Sequence, residues 1–394
     1  MNQPQIFEKR RRELLSVLNN KEHFDTAIVI GRVNLYYYLG TIQDGLFVIR
    51  SNGDSFFFVR KSVARAKMES DFNSIIQIRS YSDMNQHLPQ NLGHVYLETE
   101  VVPMAMLSRI QKYFDMPAIH GLDGIISMMR SKKDPEEIAL IESSAQRHNQ
   151  VMLEVVPALL REGMSETDFA AELYAEMIKH GHHGVSRFSM FQMEMIIGQF
   201  GFGDTSIYPT NFDGPGGMKG MSPAVPIVGD RNRKLKKGDL VFVDVGFGYE
   251  GYHSDKTQIY SFGTPPDEHV ASIHNACIGV MKKAEALIVP GADPGRIYDL
   301  AMADLPLELS EHFMGFGESV RFLGHGVGLF IDELPVITSK YHVPLEEGMI
   351  IALEPKCGIE GVGTVGVEET FLVTSDGAKC LTGGPKEIIT LPLK

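Results

Sequence analysis

The pattern of apolar and polar positions differs between the two parts of the chain. In the N-terminal part, short helical and strand patterns follow one another. Apolar residues recur every three or four positions in RRRELLSVLNN, which predicts an amphipathic helix. Strands are predicted by the β-prone runs TAIVI, NLYYYLG and VYLETE. The run LFVIRSNGDSFFFVR predicts a hairpin, because Asn52-Gly53 is a turn dipeptide that tolerates positive φ. This mixture predicts a small α/β domain over residues 1–128.

Longer helices and strands follow, which predicts a second domain over residues 129–394. Its first helix begins after Asp134, since Pro135 suits the first helical position and Glu137 completes a capping box. Two further helices are predicted from Ser165 and over PDEHVASIHNACIGVMKKAEALI. Strands are predicted in EMIIGQF, DLVFVDVGF, TQIYSFG, MIIALEP and VGVEETFLVT. This grouping is typical of an α+β fold, and the glycine-rich residues 198–221 predict a functional loop or lid.

Length and charge narrow the possible functions. A chain of 394 residues is longer than a single hydrophobic core usually supports, which agrees with two domains. The net charge of -13 argues against a nucleic-acid partner, since phosphate binding depends on clusters of Lys and Arg. No run approaches about 18 apolar residues and no apolar signal segment is present, so we expect a cytoplasmic protein without a membrane partner. Cys277, Cys357 and Cys380 do not form a disulfide framework and are expected to be reduced.

Two aspartates flank a glycine-rich turn in LVFVDVGFGYEGYHSDKTQIY. If two strands are joined at Tyr249-Glu250, Asp244 lies directly opposite Asp255 on the same face of the sheet. Side chains opposed in this way have Cβ atoms about 4.5–5.5 Å apart, and two half-buried carboxylates at that distance repel each other. Either one carboxylate is protonated or a cation lies between them, although a β-bulge would change the register.

The C-terminal part repeats this arrangement. Glu354 and Glu368 are symmetric about Gly361 in a strand, turn, strand pattern. Between the two hairpins, His325 is flanked by glycines, which let the backbone approach whatever the imidazole binds. Four carboxylates and one imidazole suit two divalent ions, with Mn²⁺, Co²⁺, Fe²⁺ and Zn²⁺ all compatible. The four negative charges also balance two such ions.

Each of these residues has an ordinary structural explanation when it is taken alone. An Asp before Gly usually belongs to a turn, a His between glycines usually belongs to a loop, and VEE is usually a solvated charge pair. Two symmetric hairpins with a histidine between them are hard to obtain by accident, so the combination favours a metal site. His180, His182 and His183 form a second histidine-rich run, but at a helix end a structural role is favoured over metal binding.

Several stretches follow a known pattern. They are VDVGFGYEGYHSDKT, GHGVGL, EEGMIIALEP and GVEETFLVT, with DTAIVIGRVNLYYYLG and MRSKKDPEEIALI before them. On these motifs the chain resembles the pita-bread (M24) metallopeptidases, which include aminopeptidase P, prolidase, methionine aminopeptidase and creatinase. The resemblance covers nearly the whole chain. It implies a C-terminal pita-bread domain preceded by a smaller creatinase-like N-terminal α/β domain, and a homodimer.

The resemblance also implies how the metal ions would be held. Asp244 would chelate one ion. Asp255 and Glu368 would bridge both ions. His325 and Glu354 would hold the other ion, so the resemblance implies a metalloenzyme with two divalent ions.

The reaction implied by the resemblance is hydrolysis of a bond before proline, by an Xaa-Pro aminopeptidase or an Xaa-Pro dipeptidase. A metal-bridging hydroxide would attack the scissile amide, and Glu354 would take up the proton of the nucleophile. His325 and Asp332 complete the predicted catalytic set, with Asp332 standing where the family peptidases have a second histidine.

Further positions depart from the family pattern. A histidine ahead of GDLVFVD has only Thr210 or Ile227 near its place, and the arginine two residues before the last glutamate is Gly366. The EPG after the fourth ligand is EPK, with Lys356. In the family the lost groups bind substrate and stabilise charge on the attacked carbonyl, so these departures weaken the prediction of proline specificity. The candidates to replace the missing histidines are Asp332, His253 and Lys356.

Two other functions stay open. The altered recognition residues would suit a small non-peptide substrate, as in creatinase-like hydrolases or the metal-dependent lyase of dimethylsulfoniopropionate. The stretch GVSRFSM is creatinase-like and slightly supports this alternative. A non-catalytic binding module is the third possibility, and the complete set of ligands argues against it.

Overall fold

The structure is a computed structural model that describes residues 3–309 and 311–393, with side chains from residue 5 onward. The chain divides into two compact units, Met1–Met129 and Arg130–Lys394. The boundary falls inside helix α5, Asp123–Ser131. In the described chain, no helix is long and apolar enough to cross a membrane.

The N-terminal unit is built on a six-stranded sheet with the order β4-β3-β2-β1-β5-β6. Strands β1, β2 and β3 are antiparallel, whereas β1–β5, β3–β4 and β5–β6 pair in parallel. The helices are α1 Gln3–Asn19, α2 Arg32–Leu39, α3 Val63–Glu69, α4 Met104–Ile110 and the α5 already given. The strands are β1 Thr26–Val29, β2 Gly45–Arg50, β3 Ser55–Val59, β4 Ile75–Gln77, β5 His94–Leu97 and β6 Ala118–Gly121. This is the mixed α/β fold that the sequence predicts.

The predicted hairpin of this unit is confirmed, but one of the strands predicted elsewhere in the unit is a helix. Strands β2 and β3 pair from Gly45–Val59 to Ile49–Ser55, and the Asn52-Gly53 turn closes them. The predicted strand NLYYYLG is instead helix α2. The carboxylate of Glu98 accepts hydrogen bonds at the start of this helix, and Gly40 ends it in the left-handed conformation. Tertiary capping therefore outweighs the β propensity of three consecutive tyrosines.

The C-terminal unit carries its helices on two layers of sheet. The capping boxes at Asp134–Glu137 and Ser165–Asp168 form as predicted. A π-helical turn, Val151–Val155, separates α6 from α7. The helices are α6 Pro135–Gln150, α7 Val156–Leu159, α8 Glu166–Lys179, α9 Glu268–Glu285 and α10 Pro294–Met302.

Two sheets and a two-stranded ribbon form the centre of this unit. The sheets have the orders β17-β9-β8-β7 and β11-β10-β12-β15-β16, and the ribbon is β13–β14. The strands are β7 Gly198–Phe202, β8 Leu240–Tyr249, β9 Tyr252–Phe262, β10 Gly324–Gly326, β11 Glu333–Ile337, β12 Ile350–Leu353, β13 Lys356–Ile359, β14 Gly363–Gly366, β15 Glu369–Thr374, β16 Gly377–Cys380 and β17 Ile389–Leu391. One apolar core packs α9 and α10 on these strands, and a second packs the π-helical turn, α7 and α8 on β7, β8 and β9. The predicted α+β architecture is confirmed.

The segment predicted as a loop or lid starts later than the sequence suggests. Residues 198–202 form β7, because they pair with β8 from Gly198–Val245 to Phe202–Val241. A short 3-10 helix, Gly203–Ile207, follows. No helix or strand of the described chain lies between Ile207 and Leu240. The predicted strand EMIIGQF is therefore displaced toward its C-terminal end.

The three cysteines are free. Cys277 and Cys357 are buried, and Cys380 is half-buried. Cys277 and Cys357 therefore act in the structure as small packing residues, as expected, whereas the thiol of Cys380 contacts the carboxylate of Glu369.

Candidate metal centre

The first pair of carboxylates lies on the β8–β9 hairpin, in a register two residues from the predicted one. Asp244 is opposite Thr257, and Asp255 is opposite Gly246. The turn is Glu250-Gly251, with φ of 48° and 95°, because a tight turn with positive φ at both positions matches strand twist. The prediction that the aspartates face each other directly is wrong. A shift of two residues keeps both on the same face, so they are diagonal neighbours.

The second pair has the predicted register. Lys356 pairs with Gly366 in the ribbon, and Leu353 pairs with Glu369 in the sheet. Glu354 and Glu368 lie between these two pairs and are therefore symmetric. An isolated bridge from Glu368 to Thr257 joins the two sheets.

His325 reaches this place on the short strand β10, between β11 and β12. A Cβ at Gly324 would lie 2.1 Å from the carbonyl oxygen of Ala352, and one at Gly326 would lie 2.1 Å from that of Leu334. The glycines are therefore required by the neighbouring strands. The sequence prediction attributed them to a close approach to the imidazole's ligand, which the structure does not support.

Three of the five predicted ligands converge closely. One ligand atom from each of Asp255, His325 and Glu368 lies within 4.8 Å of the others, and all three side chains are buried or half-buried. The Nε2 atom of His325 lies 3.4 Å from Oε1 of Glu354 and 3.9 Å from Oε1 of Glu368. The buried Oε1 atom of Glu368 has no hydrogen-bond partner. A buried carboxylate oxygen without a partner next to an imidazole fits a divalent cation, so this donor set fits one ion.

The other two ligands are held by Lys356. Its Nζ donates to Oε2 of Glu354 at 2.7 Å and to Oε2 of Glu368 at 2.9 Å, and it lies 3.1 Å from Oδ2 of Asp244. The lysine is fully buried. Burial lowers the pKa of Lys356, but the carboxylates of Asp244, Glu354 and Glu368 outweigh this and raise the pKa well above its usual range. The donor set around Asp244 therefore does not fit a second ion, since an ammonium group is already bound there.

Protons are distributed unequally over this buried site. Burial raises the pKa of Asp244 to about 7, although Lys356 opposes the shift. Burial and neighbouring carboxylates hold the pKa of Asp255 well above its usual range. Burial alone would lower the pKa of His325, but its hydrogen bond to Glu354 and the nearby carboxylates raise it to about 10. A cation at His325 must displace a proton, so metal binding is coupled to pH.

Asp332, the predicted third catalytic residue, is engaged elsewhere. Its two oxygens accept hydrogen bonds from the backbone N–H and the hydroxyl of Ser189, at 2.7 and 2.8 Å. Burial raises the pKa of its carboxyl group. The residue therefore anchors the segment around Ser189 in this structure, and it makes no described hydrogen bond to a predicted ligand.

His253 is not available to replace a family histidine either. It is fully buried, with Nδ1 at 3.0 Å from the carbonyl oxygen of Gly328 and Nε2 accepting from the N–H of Arg187 at 3.4 Å. Burial is the main cause that lowers its pKa to about 3, and the neighbouring His183 and Arg187 contribute. Thr210 accepts a hydrogen bond from Gln199, and Ile227 packs against the second apolar core. Neither position supplies an ionisable group.

The histidine-rich run after helix α8 has the structural role that the sequence favours. Nδ1 of His182 accepts a hydrogen bond from the N–H of Gly248 at 2.8 Å, and His183 packs edge-on against His253. Burial is the first cause that lowers the pKa of His182 and that of His183, each to about 4. Both imidazoles are therefore neutral packing groups.

A buried ion pair behind the ligands was not foreseen from the sequence. Lys256 and Glu369 follow Asp255 and Glu368 directly along their strands. The Nζ of Lys256 lies 2.6 Å from Oε1 of Glu369, and both side chains are almost fully buried. Adjacent strand residues point to opposite faces, so this pair lies on the reverse face from the ligands. The sequence signal that could have revealed this pair is a second charged residue directly after each ligand, in Asp255-Lys256 and Glu368-Glu369.

Comparisons with known proteins agree with this fold. The model of metallopeptidase family M24 matches residues 139–375, and that of the creatinase/prolidase N-terminal domain matches residues 10–132. An Xaa-Pro dipeptidase of Pyrococcus furiosus is 25% identical over 384 residues, covering 97% of this chain and 100% of its own. An uncharacterized peptidase of Staphylococcus aureus is 26% identical over 389 residues, covering 94% of this chain and 97% of its own.

Solved structures show the same fold. The prolidase from Pyrococcus furiosus has a TM-score of 0.77 at 24% identity, and covers 94% of this chain and 99% of its own. The Xaa-Pro dipeptidase from Bacillus anthracis has a TM-score of 0.79 at 22% identity, and covers 98% of this chain and 100% of its own. The likeness spans both units. The chain therefore belongs to metallopeptidase family M24, with a creatinase/prolidase N-terminal domain.

Proposed function

We propose that this protein is a metal-dependent hydrolase of Xaa-Pro peptides, and that it acts as an Xaa-Pro dipeptidase. The observation that carries the proposal is the convergence of Asp255, His325 and Glu368 around an unpartnered buried carboxylate oxygen. Two of the relatives that match along nearly the whole chain are named Xaa-Pro dipeptidase, which favours a dipeptidase over an aminopeptidase.

The site residues have separate tasks in this proposal. Asp255, His325 and Glu368 would hold a divalent ion, which when bound supplies Lewis acidity at the scissile carbonyl and lowers the pKa of water. Glu354 is the available proton acceptor. Burial would raise its pKa, but Lys356 and His325 lower it, so its carboxylate is ionised near neutral pH. Asp332 is assigned to positioning through Ser189 and does not act on the substrate in this proposal.

The small-molecule alternative is less well supported. The relatives that match are named as peptidases and dipeptidases, and the creatinase likeness rests on the N-terminal domain and one short stretch. The binding-module alternative is opposed by the converging ligand set.

Turnover of a substrate panel tests the proposal. The purified full chain is stripped with a chelator, loaded with Mn²⁺ or Co²⁺, and offered Xaa-Pro dipeptides, Xaa-Pro-Yaa tripeptides, creatine and dimethylsulfoniopropionate. Release of proline from dipeptides alone is expected, because that is the dipeptidase reaction. Glu368→Gln is expected to abolish turnover, and Glu346→Gln, at an exposed glutamate, is the matched control. Absence of hydrolysis of every Xaa-Pro peptide with either metal would refute the proposal.

The identity of the metal, the homodimer and the cytoplasmic location stay predictions. One nitrogen and several carboxylate oxygens suit Mn²⁺, Co²⁺, Fe²⁺ or Zn²⁺. The geometry supports one ion and not the second ion of the expected pair, because the donors near Asp244 contact Lys356. Light scattering after size exclusion measures the oligomeric state, and a mass of about one chain would contradict the dimer.

A further inference from the structure

Lys356 is the residue that separates this site from a two-ion centre. It is fully buried and contacts three carboxylates, Asp244, Glu354 and Glu368. The sequence predicts that these carboxylates hold two metal ions. We infer that the ammonium group of Lys356 takes the place of one of the two cations, and that the centre therefore binds a single divalent ion. The inference rests on the proposed function only in taking this site to be metal-binding.

The contacts of the ammonium group are complete. A lysine has three N–H donors, and Nζ has three carboxylate oxygens at 2.7, 2.9 and 3.1 Å. A divalent ion bound by the same oxygens lies about 2.0–2.2 Å from each, which is the space that Nζ fills. A second ion here would also share its ligands with the ammonium group, and two buried cations at contact distance repel each other strongly.

The backbone makes room for the lysine. Lys356 is the cross-strand partner of Gly366. A Cβ at Gly366 would lie 3.0 Å from Cγ and 2.6 Å from Cα of Lys356, and 2.4 Å from the carbonyl oxygen of Pro355. A side chain at residue 366 would therefore collide with the lysine and its strand. The two departures from the family pattern, at residues 356 and 366, thus belong to one local arrangement.

The two carboxylate oxygens of Glu368 face different cations, the ammonium group of Lys356 and the proposed metal ion. Its Oε2 accepts hydrogen bonds from Lys356 and from the hydroxyl of Thr257, each at 2.9 Å. Its Oε1 has no partner and lies 3.9 Å from Nε2 of His325. The lysine side of the carboxylate is therefore satisfied, whereas the other side, with Asp255 and His325, is left for an ion.

Metal counting on the full chain tests this inference without any reference to turnover. The stripped protein is equilibrated with Mn²⁺, and bound metal is measured by mass spectrometry and by electron paramagnetic resonance. One Mn²⁺ per chain with the spectrum of an isolated ion is expected. Two ions about 3.5–4 Å apart would instead give an exchange-coupled spectrum.

Two isosteric variants separate the two sides of the site. Asp244→Asn removes a partner of the lysine, so the count is expected to stay at one, and Kd is expected to rise by at most about tenfold, the low end of the range for outer partners of a metal site. Asp255→Asn removes a ligand, so the affinity for Mn²⁺ is expected to fall by more than about 100-fold. Lys356→Ala opens the occupied space, and a second equivalent of Mn²⁺ is expected to bind.

Three results would overturn the inference. They are two tightly bound ions per wild-type chain, loss of an ion in Asp244→Asn, or a folded Lys356→Ala that still binds only one. Should Lys356→Ala not fold, the wild-type count and the two aspartate variants decide. A chain that binds one Mn²⁺ and hydrolyses no Xaa-Pro peptide would refute the proposed function but leave this inference intact. A chain that binds two ions and hydrolyses the peptide would refute this inference but leave the proposed function intact.

Discussion

Replacing Lys256 with methionine is expected to destabilise the C-terminal unit by about 3–5 kcal/mol. The ammonium of Lys256 lies 2.6 Å from Oε1 of Glu369 and 2.9 Å from the carbonyl oxygen of Gly383. Both charged side chains are almost fully buried, at the junction where β9 meets β15. Methionine fills the space of the lysine stem but leaves the carboxylate of Glu369 without its cation.

The size of the effect follows from what remains around that carboxylate. The second oxygen of Glu369 keeps the hydroxyl of Thr382 and the thiol of Cys380 as donors. Neither donor carries a charge, so the buried anion loses its main compensation. In a unit of this size about 1 kcal/mol corresponds to about 2 °C, so the melting temperature is expected to fall by about 6–10 °C.

Calorimetry of the chelated protein measures this change without a contribution from bound metal. Adding Glu369→Gln to Lys256→Met removes the unpaired anion and is expected to recover at least about half of the loss. Lys379→Met is the matched control, because its pair with Glu142 is exposed and such pairs contribute at most about 1 kcal/mol. A fall of less than about 2 °C for Lys256→Met, or a double variant less stable than the single one, would refute the reasoning.

Three further predictions concern other parts of the C-terminal unit. The pKa of His182 is lowered to about 4 in the folded chain, so the unfolded chain binds more protons between about pH 4 and 6.5. About 3 kcal/mol of stability is therefore lost as pH falls through this window. His182→Asn keeps an acceptor for Gly248 and should flatten the pH dependence of the melting temperature; an unchanged slope would contradict the assignment. Gly366→Ala is expected to destabilise by about 1–3 kcal/mol in denaturant titrations, because φ is 136° and the new Cβ meets a carbonyl oxygen, whereas Gly124→Ala, with open space, should not. Binding of Mn²⁺ should release at least about one proton near pH 7, since the pKa of His325 is about 10 without metal, and calorimetry in buffers of different ionisation enthalpy that detects no release would refute this.

Local patterns in the sequence determine much of the fold. The capping residues Asp134 and Ser165 define where two helices begin, and Asn52-Gly53 defines a hairpin, because these signals act within a few residues. The symmetry of Glu354 and Glu368 also holds, since one register runs through both ladders that flank them. The motif set was specific enough to identify the family, which the family models then matched over both units.

Other features depend on contacts between distant residues. The run NLYYYLG forms a helix whose start is fixed by Glu98, more than 60 positions away, which accepts hydrogen bonds from the N–H of Gly31 and the side chain of Asn34. The β8–β9 register is two residues from the expected one because the turn uses Glu250-Gly251. In the first case a distant partner overrules a local propensity, and in the second the conformation of the turn sets the register of the whole hairpin.

The same distinction applies to the site. The sequence alone predicts five candidate ligands, because carboxylates and an imidazole at these spacings have a recognisable chemistry, and the structure brings three of them together. The sequence does not show that Lys356 points at three of the five, since the direction of a side chain depends on the strand opposite, where Gly366 leaves space. Only the tertiary structure brings a positive charge from the chain itself into the group of carboxylates, and our inference of a single metal ion rests on that charge.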